Sequence, residues 1–262
     1  MIPYRDENPT SRFAWVTLGL ILVNAFAFLF IEPATTGDQG AQQAYFLCHA
    51  EIPYEVTHQT SLAQGGPAAA EQIAKDYGIS PGQAAQAEAD LGRRCPNKSW
   101  LGSVFAAMFL HVGWLHIAGN MLYLWIFGNN VEDRLGRFRY LIFYLAGGIA
   151  AAALQLAFGP NSTVPNLGAS GAIAAVLGSY LILYPRARVR TLVLGFIPLA
   201  LRAEVVLGIW FVMQFFNGVG GLGTQVNGGV AYWAHVGGFV FGVITTLVLV
   251  GHGAGRRLAA EG

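Results

Sequence analysis

Ser170, His235, His116 and Asn120 are polar residues set into long apolar stretches. Ionisable and hydrogen-bonding groups at membrane depth are costly, face an interior cavity, and mark a reaction or transport path. A serine hydroxyl becomes a nucleophile only when a base within hydrogen-bond reach takes its proton. His235 is the base available here. No acidic residue lies between Asp133 and Glu204, and Glu204 belongs to the opposite edge of the membrane. A Ser170–His235 dyad is therefore expected, with hydrolysis as its chemistry.

His116 and Asn120 are four residues apart, about 40° around a helix and one turn along it, so they share a face. Attack on an amide carbonyl creates an oxyanion, and one donor aimed at that charge is worth roughly 3 kcal/mol. His116, Asn120 and the Ser170 backbone N–H are the candidate donors. The competing reading is that they fasten the bundle by interhelical hydrogen bonds. His111 precedes His116 by five positions, about 140° away on a continuous helix, and is assigned a structural role at the outer interface.

Serine alone in a membrane helix is commonly structural, bonded back to a carbonyl one turn earlier. What favours chemistry is the spacing of small residues around it. Gly171, Ala174, Ala175 and Gly178 line one span, and Gly238 and Gly242 form a G-x-x-x-G in another. Small residues at this spacing let helix backbones approach closely, which brings His235 toward Ser170. Zinc is not expected, because H-E-x-x-H is absent and no cysteine lies in the spans. An α/β-hydrolase elbow is not expected either, since Ala172 replaces the second glycine of its Gly-x-Ser-x-Gly motif.

The elements that position these residues follow from composition. At 54% hydrophobic and 11% charged, the chain lies far from soluble proteins, where about a quarter of residues are charged. It reads as an all-α, polytopic membrane helix bundle. A span takes on the order of 20 apolar residues, and six segments qualify: about 14–31, 103–127, 140–158, 167–184, 203–219 and 230–250. Residues 191–201 are apolar but interrupted by Pro198 and followed by Arg202 and Glu204, and read as an interfacial or partly buried connection, with a seventh span as the alternative. The first span is read as retained, because its apolar run is long for a signal peptide and lacks an A-x-A cleavage pattern.

With the N-terminus inside, eleven of the fifteen Lys and Arg residues are cytoplasmic, and only Lys75, Arg93, Arg94 and Lys98 are outside. That asymmetry predicts cytoplasmic termini, residues 1–13 and 251–262, around a membrane domain of residues 14–250. The cell inner membrane is the expected location. The net charge of +1 leaves no basic patch for nucleic acid.

The one sizeable outer insert is residues 32–100. Residues 67–77 and the stretch opening at Ser80-Pro81-Gly82-Gln83 read as two short helices, the second with a capping box. Cys48 and Cys95 both fall in this insert. On an oxidising side they would close it as a disulfide; the alternative is two free thiols. Residues 217–229 contain six glycines and read either as a mobile cap or as a plain outer connector.

Three stretches together resemble the rhomboid family of intramembrane serine proteases. They are His111 to Asn120, with its His, His, Asn pattern; Gly168-Ala169-Ser170-Gly171, a nucleophile motif; and Ala234-His235-Val236-Gly237-Gly238 with Gly242. The resemblance implies a six-helix core, a Ser170 and His235 dyad, and an oxyanion site using His116 and Asn120. It implies cleavage of other proteins' transmembrane segments within the lipid bilayer and without cofactor. It further implies a lateral gate at the fifth span, involving Trp210, Phe211, Phe215 or Phe216.

The chain departs from the family pattern at Trp100, followed by leucine where many members have arginine. It departs again at Ala174, where others place a tyrosine that packs on the base. His235 is thus expected to be positioned by another group. Two other classes compete with a protease: a catalytically silent relative that binds membrane helices, and a transporter. The sequence leaves the substrate and the oligomeric state open.

Overall fold

The structure, a computed structural model, describes residues 1–33, 37–221 and 231–258. The chain opens with strand β1 (Ile2–Asp6), then helix α1 (Trp15–Phe26), which widens into a single π turn over Ala27–Ile31. The insert expected on the outer side folds as α2 (Gln39–His49), α3 (Pro53–His58), a short turn at Leu62–Gln64, α4 (Gly66–Tyr77) and α5 (Pro81–Arg94). Next come α6 (Trp100–Ala107), α7 (Trp114–Leu135), α8 (Arg137–Phe158) and α9 (Ser170–Leu183). Strands β2 (Arg188–Val193) and β3 (Ile197–Arg202) separate these from α10 (Ala203–Gly220) and α11 (Tyr232–Leu258).

Helix α9 is the hub. All its residues from Gly171 to Tyr180 are buried, with α7, α8 and α11 packed around it. Three helices are long and apolar enough to cross a membrane: α8, α10 and α11 as far as Val250. Trp15–Ile31 and α9 are apolar but shorter. Their outward faces keep large apolar side chains exposed, among them Phe30, Phe138, Phe216 and Ile244, as a lipid-facing surface requires.

Four expectations change. The all-α reading misses a three-stranded antiparallel sheet in the order β1-β2-β3. Residues 191–201, expected as an interfacial connection, form most of its hairpin, in which Val193 pairs with Ile197. The expected second span 103–127 is not one helix. The chain leaves helical geometry between α6 and α7 because backbone groups there find tertiary partners. Ala107 O accepts from Gly168 N at 2.8 Å, and His111 N donates to Glu32 at 3.0 Å. The fourth helix starts at Ser170 itself rather than a turn earlier, since Gly168 N is committed to that same Ala107 carbonyl.

The N-terminus of α1 lacks a capping side chain of its own at Ala14. Glu132 from α7 serves instead, accepting from Val16 N at 3.0 Å and from Thr17 N at 2.7 Å. This satisfies orphan donors of the helix start and ties α1 to α7.

The insert is stapled in two ways. Cys48 and Cys95 are disulfide-bonded, with Cα atoms 5.4 Å apart, joining the ends of α2 and α5. The Lys98 ammonium, buried in the insert, pairs with Glu55 at 2.6 Å and donates to Leu47 O at 2.7 Å. Ser80 and Gln83 form the reciprocal capping box at the start of α5. The expected glycine-rich connector is described only up to Gly221; its remainder, 222–229, lies outside the described residues.

Glu51 is the odd carboxylate in this cluster: Lys98 is already paired with Glu55, and Glu51 is 4% exposed. Burial pushes its carboxyl up from 4.5 to about 7, opposed only in part by Lys98. A carboxyl raised in the folded state holds a proton that the unfolded chain releases, so its contribution is full below pH 4.5 and is lost as pH rises toward 7. Amides of α2–α5 should therefore exchange with solvent faster at about pH 8 than at about pH 5 after correction for intrinsic rates. Glu51→Gln should flatten that difference. Glu32, likewise raised by burial to about 7, leaves a residual slope; an unchanged slope in the variant would reject the assignment.

Candidate functional site

The segment leading into Ser170 is held from above by the insert. Asn166 N donates to Glu51 O at 2.7 Å, Tyr54 N to Ser162 O at 2.9 Å, and Thr57 Oγ1 to Pro160 O at 2.6 Å. Asp76 accepts from both the backbone N and the hydroxyl of Thr163, at 2.6 and 2.8 Å. An irregular loop with its polar backbone groups satisfied in this way can be held in one conformation. Gly168 completes the turn at φ +127°, where a side chain would be strained.

Ser170 is the first residue of α9, and His235 lies in the first turn of α11. Small residues bring these helices into backbone contact, with the Gly238 side of α11 against Gly171 of α9. The consequence is direct: Ser170 Oγ and His235 Nε2 are 2.7 Å apart. At the other ring nitrogen, His235 Nδ1 is 2.8 Å from Gln214 Oε1 on α10. The Trp210 ring lies against the imidazole at a centroid distance of 5.7 Å.

His116 and Asn120 share the inner side of the first turns of α7, where Asn120 is buried. Val112 N donates to His116 Nδ1 at 3.4 Å, so in the neutral ring the proton sits on Nε2. A carbon placed on Gly168 would be 3.1 Å from His116 Nε2 and 3.5 Å from Ser170 Oγ. A small group there touches both. The Asn120 Nδ2 amide donor has no partner among the described residues. These are the atoms needed to receive an oxygen that gains charge beside Ser170.

His111 corrects its sequence reading. It precedes α7 in the break rather than riding on the helix, so the helical angle from His116 does not apply, and the two rings lie 5.1 Å apart. It is fully buried, with both ring nitrogens unpartnered among the described residues. Among the expected gate residues, Phe211 stacks on Phe239 at 4.6 Å and Phe215 meets the Trp233 edge at 6.0 Å. Phe216 is 67% exposed. Trp210 thus lies against the base and Phe211 packs on α11 one turn further along, while Phe216 faces outward.

Gln214 was absent from the expected set. Its signal in the sequence is an amide in an apolar helix, four residues beyond Trp210 and so on the same face, and a polar group at membrane depth is as costly there as at Asn120.

The chain was also compared with known proteins. The Rhomboid domain family matches residues 98–252. Rhomboid protein 1, mitochondrial, of Saccharomyces cerevisiae is 29% identical over 147 residues, which is 54% of this chain and 40% of that protein. Presenilin-associated rhomboid-like protein A, mitochondrial, of Danio rerio is 31% identical over 144 residues, 52% of this chain and 34% of the relative. Rhomboid protease GluP of Bacillus subtilis is 35% identical over 121 residues, 45% of this chain and 23% of the relative. The matches thus span less than half the length of these relatives. Two of the three are named as mitochondrial, so their names lend no support to the inner cell membrane as this chain's location.

Proposed function

Because the chain belongs to the rhomboid family, we propose that it is an intramembrane serine endopeptidase that cleaves transmembrane segments of other membrane proteins. The 2.7 Å contact between Ser170 Oγ and His235 Nε2 carries this reading. In the reaction, Ser170 Oγ attacks the substrate carbonyl carbon as its proton passes to His235 Nε2. The carbonyl oxygen, now negative, is received by His116 Nε2–H, the Asn120 amide and the Ser170 backbone N–H. His235 returns the proton to the departing amine, leaving an acyl ester on Ser170. Water, deprotonated by the same imidazole, then hydrolyses the ester and restores the hydroxyl. No cofactor enters.

A membrane helix satisfies its backbone amides internally, so a substrate must unwind locally before its carbonyl reaches Ser170. Segments holding glycine or other weak helix formers near the outer surface are the preferred class. Entry past α10 suits this, because 22% of its most apolar window is buried within the protein, less than for α8 or α11. In this reading Trp15–Ile31, α7, α8, α9, α10 and α11 are the six crossings, and both termini lie on the arginine-rich, cytoplasmic face of the cell inner membrane.

A fluorophosphonate probe tests the nucleophile directly. Labelling should fall on the tryptic peptide containing Ser170, and mass spectrometry of a single-span substrate should place the cut within its apolar segment. An unlabelled Ser170 in a protein that still binds membrane helices would assign the chain to the catalytically silent alternative. Flux of a solute through liposomes without labelling would assign it to transport.

A further inference from the structure

Among the described residues His235 is hydrogen-bonded to Gln214 and Ser170 and to no carboxylate, and Ala174 leaves no aromatic ring four residues after the nucleophile. Something must still fix which of its nitrogens carries the proton. A base serving Ser170 needs an unprotonated Nε2, so the proton must sit on Nδ1. A hydroxyl can donate to Nε2 or accept from it, whereas a fixed acceptor facing Nδ1 selects that tautomer.

We propose that Gln214 is the positioning residue of the base: its Oε1, 2.8 Å from His235 Nδ1, accepts the Nδ1–H and so holds Nε2 free to take the Ser170 proton. A carbonyl oxygen can only accept, which makes Nδ1 the donor. The same contact fixes the ring plane. With Nδ1 anchored on α10 and Nε2 at 2.7 Å from Ser170, the imidazole is held from both edges, and Trp210 lies alongside. Were the amide turned over, its NH2 would donate to Nδ1, Nε2 would carry the proton, and the ring could not act as a base toward Ser170. The two orientations therefore predict opposite tautomers, which an experiment can read.

The device sits on an element separate from the two that carry the dyad. α9 and α11 meet through backbone contacts at Gly171 and Gly238, whereas α10 is the least buried of the three long apolar helices. Moving α10 away from α11 breaks the Gln214 contact. The base is consequently set only while α10 is docked, so any substrate passing that helix must let it return before proton transfer. A neutral amide also leaves the imidazolium that forms during attack without a counter-charge. Its role is orientation and tautomer, and this belongs in kcat rather than in substrate binding.

The inference rests on the proposed proteolysis, and the test separates the two. Full-length protein in detergent, as wild type, Gln214→Leu and Gln214→Glu, would be assayed for kcat and KM on a single-span substrate. Nitrogen-15 NMR of the His235 ring would report its tautomer in each. Gln214→Leu, which keeps bulk and loses the acceptor, should lower kcat by about 10- to 100-fold, up to the lower end of what a general base itself contributes because the base is misoriented and not removed, with KM unchanged. Gln214→Glu, which keeps an acceptor, should recover most of it. The wild-type spectrum should show the Nδ1–H form, and Gln214→Leu a mixture. A wild-type Nε2–H form, an unchanged kcat in Gln214→Leu, or equal losses in both variants would overturn the assignment. Wild-type protein that neither cleaves nor takes the fluorophosphonate would reject proteolysis instead, while the tautomer measurement would still decide for or against Gln214.

Discussion

Ser170→Ala should abolish cleavage of a single-span substrate, by on the order of 10⁵-fold or more in kcat, the scale set when a serine nucleophile is removed elsewhere. The hydroxyl is the attacking atom and no other nucleophile lies within reach of His235 Nε2 among its described contacts. His235→Ala should cost nearly as much. The two act as a unit, because the oxygen without the base stays protonated and the base without the oxygen has nothing to activate. The double variant should therefore be no slower than either single one, a complete non-additivity in kcat that exceeds the roughly 0.5–3 kcal/mol coupling of ordinary contacting pairs. Folding should be almost untouched by the serine change: one hydrogen bond is lost, worth about 1 kcal/mol, and alanine suits a helix start better than it suits a strand or turn. The checks are product formation by gel and the thermal unfolding midpoint in the same detergent. Undiminished cleavage in either single variant would remove the dyad from the reaction.

How far the site could be read in advance depended on where its signals were local. Ser170, His235 and Asn120 stood out because polar groups are rare in apolar stretches, and the small residues of α9 and α11 announced which helices would touch. Gln214 carries the same kind of signal but belongs to no motif, and its partner Nδ1 is defined only by the packing of α10 against α11. His111 was misplaced for a different reason. The angle from His116 assumed one continuous helix, and the break between α6 and α7 is made by tertiary bonds from Ala107 to Gly168 and from His111 to Glu32. Those partners are 61 and 79 residues away in sequence, beyond any local rule.

The sheet divides along the same line. Arg188-Val189-Arg190-Thr191 alternates exposed and buried, the period of a half-buried strand, and Leu194 and Gly195 take the positive φ values of a tight hairpin. That much was open to a closer reading. The third strand was not: β1 reaches β2 from the far end of the chain, pairing Asp6 with Val189. Tyr180 donates to that same Asp6 at 2.8 Å, so the N-terminal strand is fastened to the C-terminal half of the nucleophile's own helix. The insert does the corresponding work at its N-terminal end through Glu51, Tyr54 and Asp76. α9 is thus fixed at both ends by segments whose sequences give no hint of it.

Gly242→Val should unfold the bundle or come close to it. A Cβ at Gly242 would lie 2.0 Å from Ala175 O, 2.8 Å from its C and 3.0 Å from its Cα, all backbone atoms that cannot rotate aside. One turn earlier, at Gly238, the same atom would meet Gly171 O at 2.1 Å, and from the facing helix Gly178 would meet Phe239 O at 2.2 Å. The crossing is therefore backbone against backbone over two turns. Any side chain must push α9 and α11 apart by about 1 Å or more to reach ordinary contact distance, and overpacking a side-chain core already costs about 1–3 kcal/mol. With backbone as the obstacle the loss should exceed about 4 kcal/mol, seen as a large fall in the thermal midpoint. Because the Ser170–His235 contact bridges these same two helices, fluorophosphonate labelling should vanish with it. Gly19→Ala on α1, with nothing within 4 Å of the added carbon, supplies the control and should leave both readouts intact. A Gly242→Val protein with an unchanged midpoint and undiminished labelling would mean that α9 and α11 do not cross here, and the geometry that joins hydroxyl to imidazole would go with them.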